Sequence, residues 1–444
     1  ATARPTAAGT LEDPFVSVHA AITSGRVQGG DRILLLEGEH GPLVLHNRAF
    51  ASEVTIASLE GRKAHVDNIE ITGTSRNLRI SRLSVWPRDP KAWRGYLAQT
   101  DITVTDVVFE SLEIRSARDA YSFMDWDVAK WRERRASGIR MNGPRSTAVR
   151  NRIIGVYMGI TLMGADSQAL RNLVNGYDGD GLRGFGPNTL FHRNRVLNCV
   201  DTDDNHDDGF QSFTYSGSGP IRKLTLDGNV IIEWTGAESH PLRCRLQGIG
   251  LFAGFYEDLT IINNLVVASQ YHGISVYGAR RAKIINNTVV HNFGKTTLTP
   301  YILITDNKDG TPSSDVLVAN NVAMSVRGKV DPANRVEFRN NSVIGTPGAV
   351  FENAFAFDYR PKPSSGFIDT ADPSVAPPHD MLNQRRPGGA LPDRGAYEVL
   401  PGMALSEEAT ETGDDLAAGG DGTVTETPTP GAPGPRWIKL PGTP

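Results

Sequence analysis

The sequence predicts an all-β chain: a single-stranded, right-handed parallel β-helix, or solenoid, with an N-terminal capping helix and loop insertions. Three observations carry this. Glycines that open a short apolar strand stand at Gly138, Gly159, Gly181, Gly209, Gly250 and Gly273, and each is followed by an asparagine, Asn151, Asn172, Asn194, Asn229, Asn263 and Asn286. The two are 13 residues apart in every unit except the fourth, where Gly209 and Asn229 are 20 apart. Between them lie short alternating segments such as 259–261, 282–284 and 316–318, with no helical period. A repeat of this length, with two or three short strands and a fixed corner residue, is what stacked coils require. Asparagine suits the corner because its amide pairs with backbone and with the asparagine of the next coil, and because it tolerates left-handed geometry.

In chain order, residues 1–53 form an N-terminal cap and first strand. Gly9 to Ile22 reads as a short amphipathic helix with Val16, Ala20 and Ala21 on one side, able to cover the open end that every solenoid must protect. Gly29 to Gly41 reads as a turn and first apolar strand. Residues 54–400 hold the coils, interrupted by an insertion over 86–135. Residues 401–444 form an acidic Gly/Thr/Pro-rich tail that cannot bury a core and is expected to be mobile, closing on Trp437, Ile438 and Leu440, which either stay solvated or dock on the body or a partner.

Composition narrows the function classes. The 444 residues include 46 Gly and 27 Pro with only 39% hydrophobic residues, which suits many turns around one long thin core. A net charge of −4 with mixed signs argues against general nucleic-acid binding or attraction to an anionic membrane. Cys199 and Cys244 allow at most one disulfide, so no framework of bridges holds the fold. No apolar run is long enough to span a bilayer, and the chain begins at Ala1 without a signal-peptide core, so that a leader has been removed or none existed.

The step from each asparagine to the next glycine is where regularity fails: 8, 9, 15, 21 and 10 residues in turn. Two neighbouring coils therefore carry enlarged loops on one edge. One holds Asp201, Asp203, Asp204, His206, Asp207 and Asp208; the next holds His240, Arg243 and Arg245. Residues around Thr214 to Pro220 add a third. Insertions that leave a solenoid core intact map to its surface, often to its binding face.

The Asp-Pro-Phe at 13–15, the Gly-Gly-Asp-Arg-Ile turn at 29–33, the asparagine-cornered coils and the Pro392 to Glu398 segment PDRGAYE together resemble the pectate-lyase-like β-helix superfamily over residues 9 to about 400. Within it, DGDGLRG and HDDGFQ resemble calcium-dependent lyases of the family-9 pectate lyase kind. That resemblance implies a calcium ion shared between Asp180 and the pair Asp207 and Asp208. It departs where those enzymes carry a lysine base, since the strand GIGLFAG offers Phe252.

The chemistry follows from the residues. Cleaving a polyuronide by β-elimination requires neutralising the sugar carboxylate, removing the C5 proton and releasing the glycosidic oxygen. Carboxylates from adjacent coils make a natural calcium site, for which Asp180, Asp204, Asp207 and Asp208 are the candidates. Asp180 and Asp208 each precede a strand-opening glycine and should stack about 4.8 Å apart. Arg183, two residues after Gly181 and expected on its side of the strand, binds the substrate carboxylate, acts as base, or bridges to Asp208. His206, Asp207, Asp208, Arg243 and His272 are its rivals in catalysis or binding, with Gln211 and Arg245 as substrate contacts.

In the insertion, Trp93, Trp126 and Trp131 stand among Arg88, Arg94, Arg132 and Arg135, either as stacking surfaces for an acidic polysaccharide or as packing against the coil. Three functions remain: a lyase of an anionic glycan; a glycoside hydrolase with paired aspartates; and a glycan-binding or depolymerising spike of a phage-like particle. The chain is expected outside the cell or on a particle surface, as a monomer or homotrimer, with a further particle or surface partner for its tail.

Overall fold

The computed structural model describes residues 7–214, 219–291 and 298–400, and the backbone of Trp437–Leu440. The chain winds as a right-handed parallel β-helix with three long parallel sheets of 15, 12 and 11 strands, taken here as the first, second and third sheets. One coil shows the pattern: Thr147–Val149 in the first sheet, Arg152–Val156 in the second, Ile160–Leu162 in the third, then Gln168–Leu170 back in the first. Short strands suffice because those inside each sheet are paired on both edges and bury one face in a continuous apolar column, running from Phe15 and Ile33 to Val318 and Val336.

The corner between the first and second sheets is an asparagine ladder. Asn151, Asn172, Asn194, Asn229, Asn264, Asn287, Asn321 and Asn341 stack so that each side-chain oxygen accepts from the backbone N–H and the amide of the previous member. Two expected members are displaced by one residue. Asn263 and Asn286 occupy the preceding position, with φ of 57° and 55°, which Arg150, Arg171 and Arg193 fill in other coils. Left-handed geometry and ladder bonding thus belong to neighbouring residues; an Asn-Asn pair supplies both.

The glycine column also shifts once. Gly138, Gly159, Gly181 and Gly209 align coil on coil, and Gly248, not Gly250, continues the column to Gly273. The cause is a close approach. A Cβ on Gly209 would stand 2.8 Å from the carbonyl oxygen of Gly248 and would collide with Ile231, and the other members face the same obstruction. These glycines face inward, whereas Arg183 faces outward, because the regular strand begins only at Leu182.

The N-terminal helix is limited to Val18–Thr23, with Ser17 accepting from Ala20 N at 3.1 Å. Trp437–Leu440 pairs in parallel with Arg32–Leu35, adding a strand to that end of the first sheet. The rest of the tail and part of the Thr214 to Pro220 loop lie outside the described residues. Among the described residues no helix is long and apolar enough to cross a membrane.

Candidate functional site

The enlarged loops over 86–95, 116–136, 200–207 and 233–246 leave from the corner between the second and third sheets, whereas the loop around Thr214 to Pro220 joins the third sheet to the first. Residues 96–115 of the expected insertion are a regular coil, with Tyr96–Thr100, Thr105–Glu110 and Glu113–Arg115 in the third, first and second sheets. The insertion contributes a 3-10 turn, Ala120–Asp125, and a helix, Val128–Glu133, capped by Asp127 accepting from Lys130 N at 2.8 Å. Three of its aromatics point down: Phe123 packs where a Cβ on Gly176 would sit, and Trp126 and Trp131 are buried edge to face at 5.1 Å. The structure therefore withholds Trp126 and Trp131 from any glycan. Trp93 is half-buried against the main core.

The loops brace one another. Arg135 pairs with Asp203, and Arg132 donates to the carbonyl of Thr202. His240 Nε2 donates to the carbonyl of Met124 at 2.8 Å, and Cys199 and Cys244 form a disulfide. Arg243 is held at 2.7 Å by Glu233, which is fully buried and also accepts from the Ser269 hydroxyl at 2.9 Å. Arg243 thus supports its loop, while Arg245, His206 and Asp204 are exposed.

Behind these loops runs a row of buried carboxyls. Asp180 and Asp208 come from adjacent coils, and Asp208 N donates to Asp180 Oδ1 at 3.3 Å. Gln211 donates to Asp208 Oδ2 at 2.9 Å; Asp208 Oδ1 is buried, has no partner, and points toward Gly250. Asp178 anchors the acidic loop by accepting from Thr202 N and Oγ1 at 2.9 and 2.6 Å. Few cations offset this row, so burial and mutual repulsion raise its proton affinities. Burial lifts Asp178 to about 6 and Asp180 to about 7. Asp207 rises to about 9 through burial and the charges of Asp178, Asp201, Asp180 and Asp208. Asp208 is raised by burial and then by Asp180.

Arg183 stands in front of the row. Its Nε is 3.2 Å from Asp180 Oδ2, its Nη2 donates to Gln211 at 3.4 Å, and its guanidinium lies 5.1 and 5.6 Å from the Phe185 and Phe213 rings. The expected alternative, a bridge to Asp208, is replaced by this bond within its own coil. Register places Arg183 in one outward column that runs Gln99, Arg140, Thr161, Arg183, Gln211, Gly250, Ser275, Leu303, Arg327. Most of these were missed from sequence, although Arg140, Thr161 and Ser275 share with Arg183 and Gln211 the second position after the column glycine.

Farther along, His272 is buried between Phe252 and Tyr271 and contacts Ser275 Oγ and the Tyr301 hydroxyl through Nδ1, at 2.8 and 3.1 Å. Burial, then Lys308, lowers its pKa to about 4, so it is neutral near pH 7.

A hard cation suits this donor set: four buried carboxyls, one orphaned oxygen and few compensating charges. The carboxyls form a row and not a closed cage. Among the described residues, no three of Asp180, Asp204, Asp207 and Asp208 bring oxygens within 4.8 Å of one another. Asp207 instead lies near the sulfurs of Cys199 and Cys244, whose disulfide removes them as thiolate ligands.

No protein-family model matches the chain, and no curated protein matches it in sequence. Solved structures do match in fold. Pectate lyase Pel9A aligns at 14% identity over 88% of this chain and 92% of its own, with a TM-score of 0.47. The Azotobacter vinelandii mannuronan C-5 epimerase AlgE4 A-module aligns at 14% identity over 74% and 90%, with a TM-score of 0.50. Dettilon tailspike protein aligns at 12% identity over 69% and 57%, with a TM-score of 0.46. The chain thus shares the parallel β-helix fold of the epimerase module. At these identities the likeness is one of fold.

Proposed function

We propose that this chain is a polysaccharide-acting enzyme that cleaves an anionic, uronic-acid-containing glycan by β-elimination. The carrying observation is Arg183, an outward-facing cation on the third sheet, clamped between Asp180 and Gln211 in front of a row of buried carboxyls. Arg183, paired with Asp180 and facing outward, binds the uronate carboxylate. Arg243 is committed to Glu233, and Nδ1 of His272 to Ser275 and Tyr301. His206, exposed in the acidic loop, takes the C5 proton in this reading. Asp180, Asp207 and Asp208 would hold calcium once their side chains turn toward one ion, which when bound adds positive charge against the substrate carboxylate. Such a glycan is met outside the cell or at a particle surface, the setting this reading assigns to the chain.

A second reading is favoured by the pair Asp180 and Asp208. Carboxyls from adjacent coils, about 4.8 Å apart along the axis, approach the spacing of about 5–5.5 Å used by retaining glycosidases. Digestion of polyuronates such as alginate and pectate, with and without chelator, tests the first reading. Ultraviolet-absorbing unsaturated ends should form, and should be lost in chelator, in Asp208→Asn and in His206→Gln. Full activity in all three would refute these roles.

A further inference from the structure

A second cluster of ligating side chains lies toward the N-terminal end of the coil, away from the carboxyl row. Glu39 and His65 are register partners on adjacent coils of the second sheet, and Asp67 follows two residues later. Each brings one ligand atom within 4.8 Å of the others. His65 is 4% exposed, and its ring stacks on Trp86 at 3.9 Å. Its Nε2 faces the carbonyl of Trp86 at 2.9 Å, and a carbonyl only accepts, so Nε2 carries the proton. The other nitrogen, Nδ1, is directed at the Glu39 carboxylate. In a neutral imidazole these are two acceptors face to face. Only a proton on Nδ1, or a cation that both atoms ligate after moving apart, makes that stable.

From this geometry we infer a divalent transition-metal site, with Zn2+ as the model ion, ligated by His65 Nδ1 and the carboxylates of Glu39 and Asp67. The mixed nitrogen and oxygen set suits zinc and its neighbours. The Trp86 carbonyl fixes the imidazole tautomer, as partners behind metal-bound histidines do. Arg88 Nε, 3.1 Å from Asp67 Oδ1, orients that carboxylate from outside. Glu39, His65 and Trp86 line a cavity of about 540 Å³, through which the ion and a water ligand enter. The site is independent of the proposed glycan chemistry.

The test is titration of the chelator-treated full chain with Zn2+ by calorimetry at pH 7.5. One saturable site is expected. It should persist when the carboxyl row is disabled by Asp180→Asn with Asp208→Asn, weaken at least tenfold in Glu39→Gln, and vanish in His65→Gln. Affinity should fall as pH drops, because the ligands must release protons. The inference is overturned if the parent takes up no Zn2+, or if folded His65→Gln binds as tightly as the parent; an imidazolium–carboxylate pair would then explain the contact. Should His65→Gln fail to fold, unchanged affinity in Glu39→Gln, at a half-exposed side chain, overturns it equally.

Discussion

Asp207 makes the buried row measurable. Burial and the charges of Asp178, Asp201, Asp180 and Asp208 raise its pKa to about 9, against about 3.9 in an unfolded chain. The folded state therefore holds this proton more tightly than the unfolded state. Its contribution is full below about pH 4 and is lost as pH rises toward 9. From pH 4 to 7 the loss amounts to roughly three pKa units at about 1.4 kcal/mol each, or about 4 kcal/mol at most. Relaxation and water entry reduce this to about 2 kcal/mol. Asn cannot ionise, so Asp207→Asn should gain about that much on the parent between pH 5 and 8 in chelator, read from paired denaturant melts. Some pH dependence remains, because Asp178 and Asp180 are raised in the same direction. Calcium added at pH 8 should narrow the gap by stabilising the parent. Parallel curves for parent and variant from pH 5 to 8 would show that Asp207 is not confined as described.

Three further outcomes follow from the contacts. Arg183→Ala removes the clamp on Asp180 and Gln211 and should lower kcat on a polyuronate about 100-fold with a smaller change in KM; steady-state kinetics check this. Arg243→Ala leaves Glu233 buried without its counter-charge and should cost about 3 kcal/mol or more in denaturant melts, a loss a purely substrate-binding arginine would not show. Asn194→Ala strips the ladder oxygen that accepts from Asn172 and the amide that donates to Ala169. It should destabilise by about 3 kcal/mol, with hydrogen exchange rising first in the neighbouring coils.

The fold was legible because its two constraints are local. A corner oxygen must serve two donors, which calls for asparagine, and the backbone of the next coil passes too close for a Cβ, which calls for glycine. The errors arose where sequence offers two equivalent residues: Asn263 beside Asn264, Asn286 beside Asn287, and Gly248 beside Gly250. Only the stacking register decides which one meets its neighbour. At the site, Asp180, Asp207 and Asp208 could be picked out because they precede column glycines. Trp126 and Trp131 were ambiguous, since a tryptophan in an insertion looks the same whether it faces sugar or Phe123. Glu233 gave no signal in sequence. Its burial depends on Arg243 and Ser269 arriving from later parts of the chain.

The central claim is elimination at the Arg183 face, and the most direct measurement is digestion of an acidic glycan in water enriched in heavy oxygen, followed by mass spectrometry of the fragments. Elimination predicts unsaturated fragment ends with no solvent oxygen incorporated. Saturated ends carrying the heavy isotope would contradict it and assign the carboxyl pair to hydrolysis, and binding without cleavage of any glycan would contradict both.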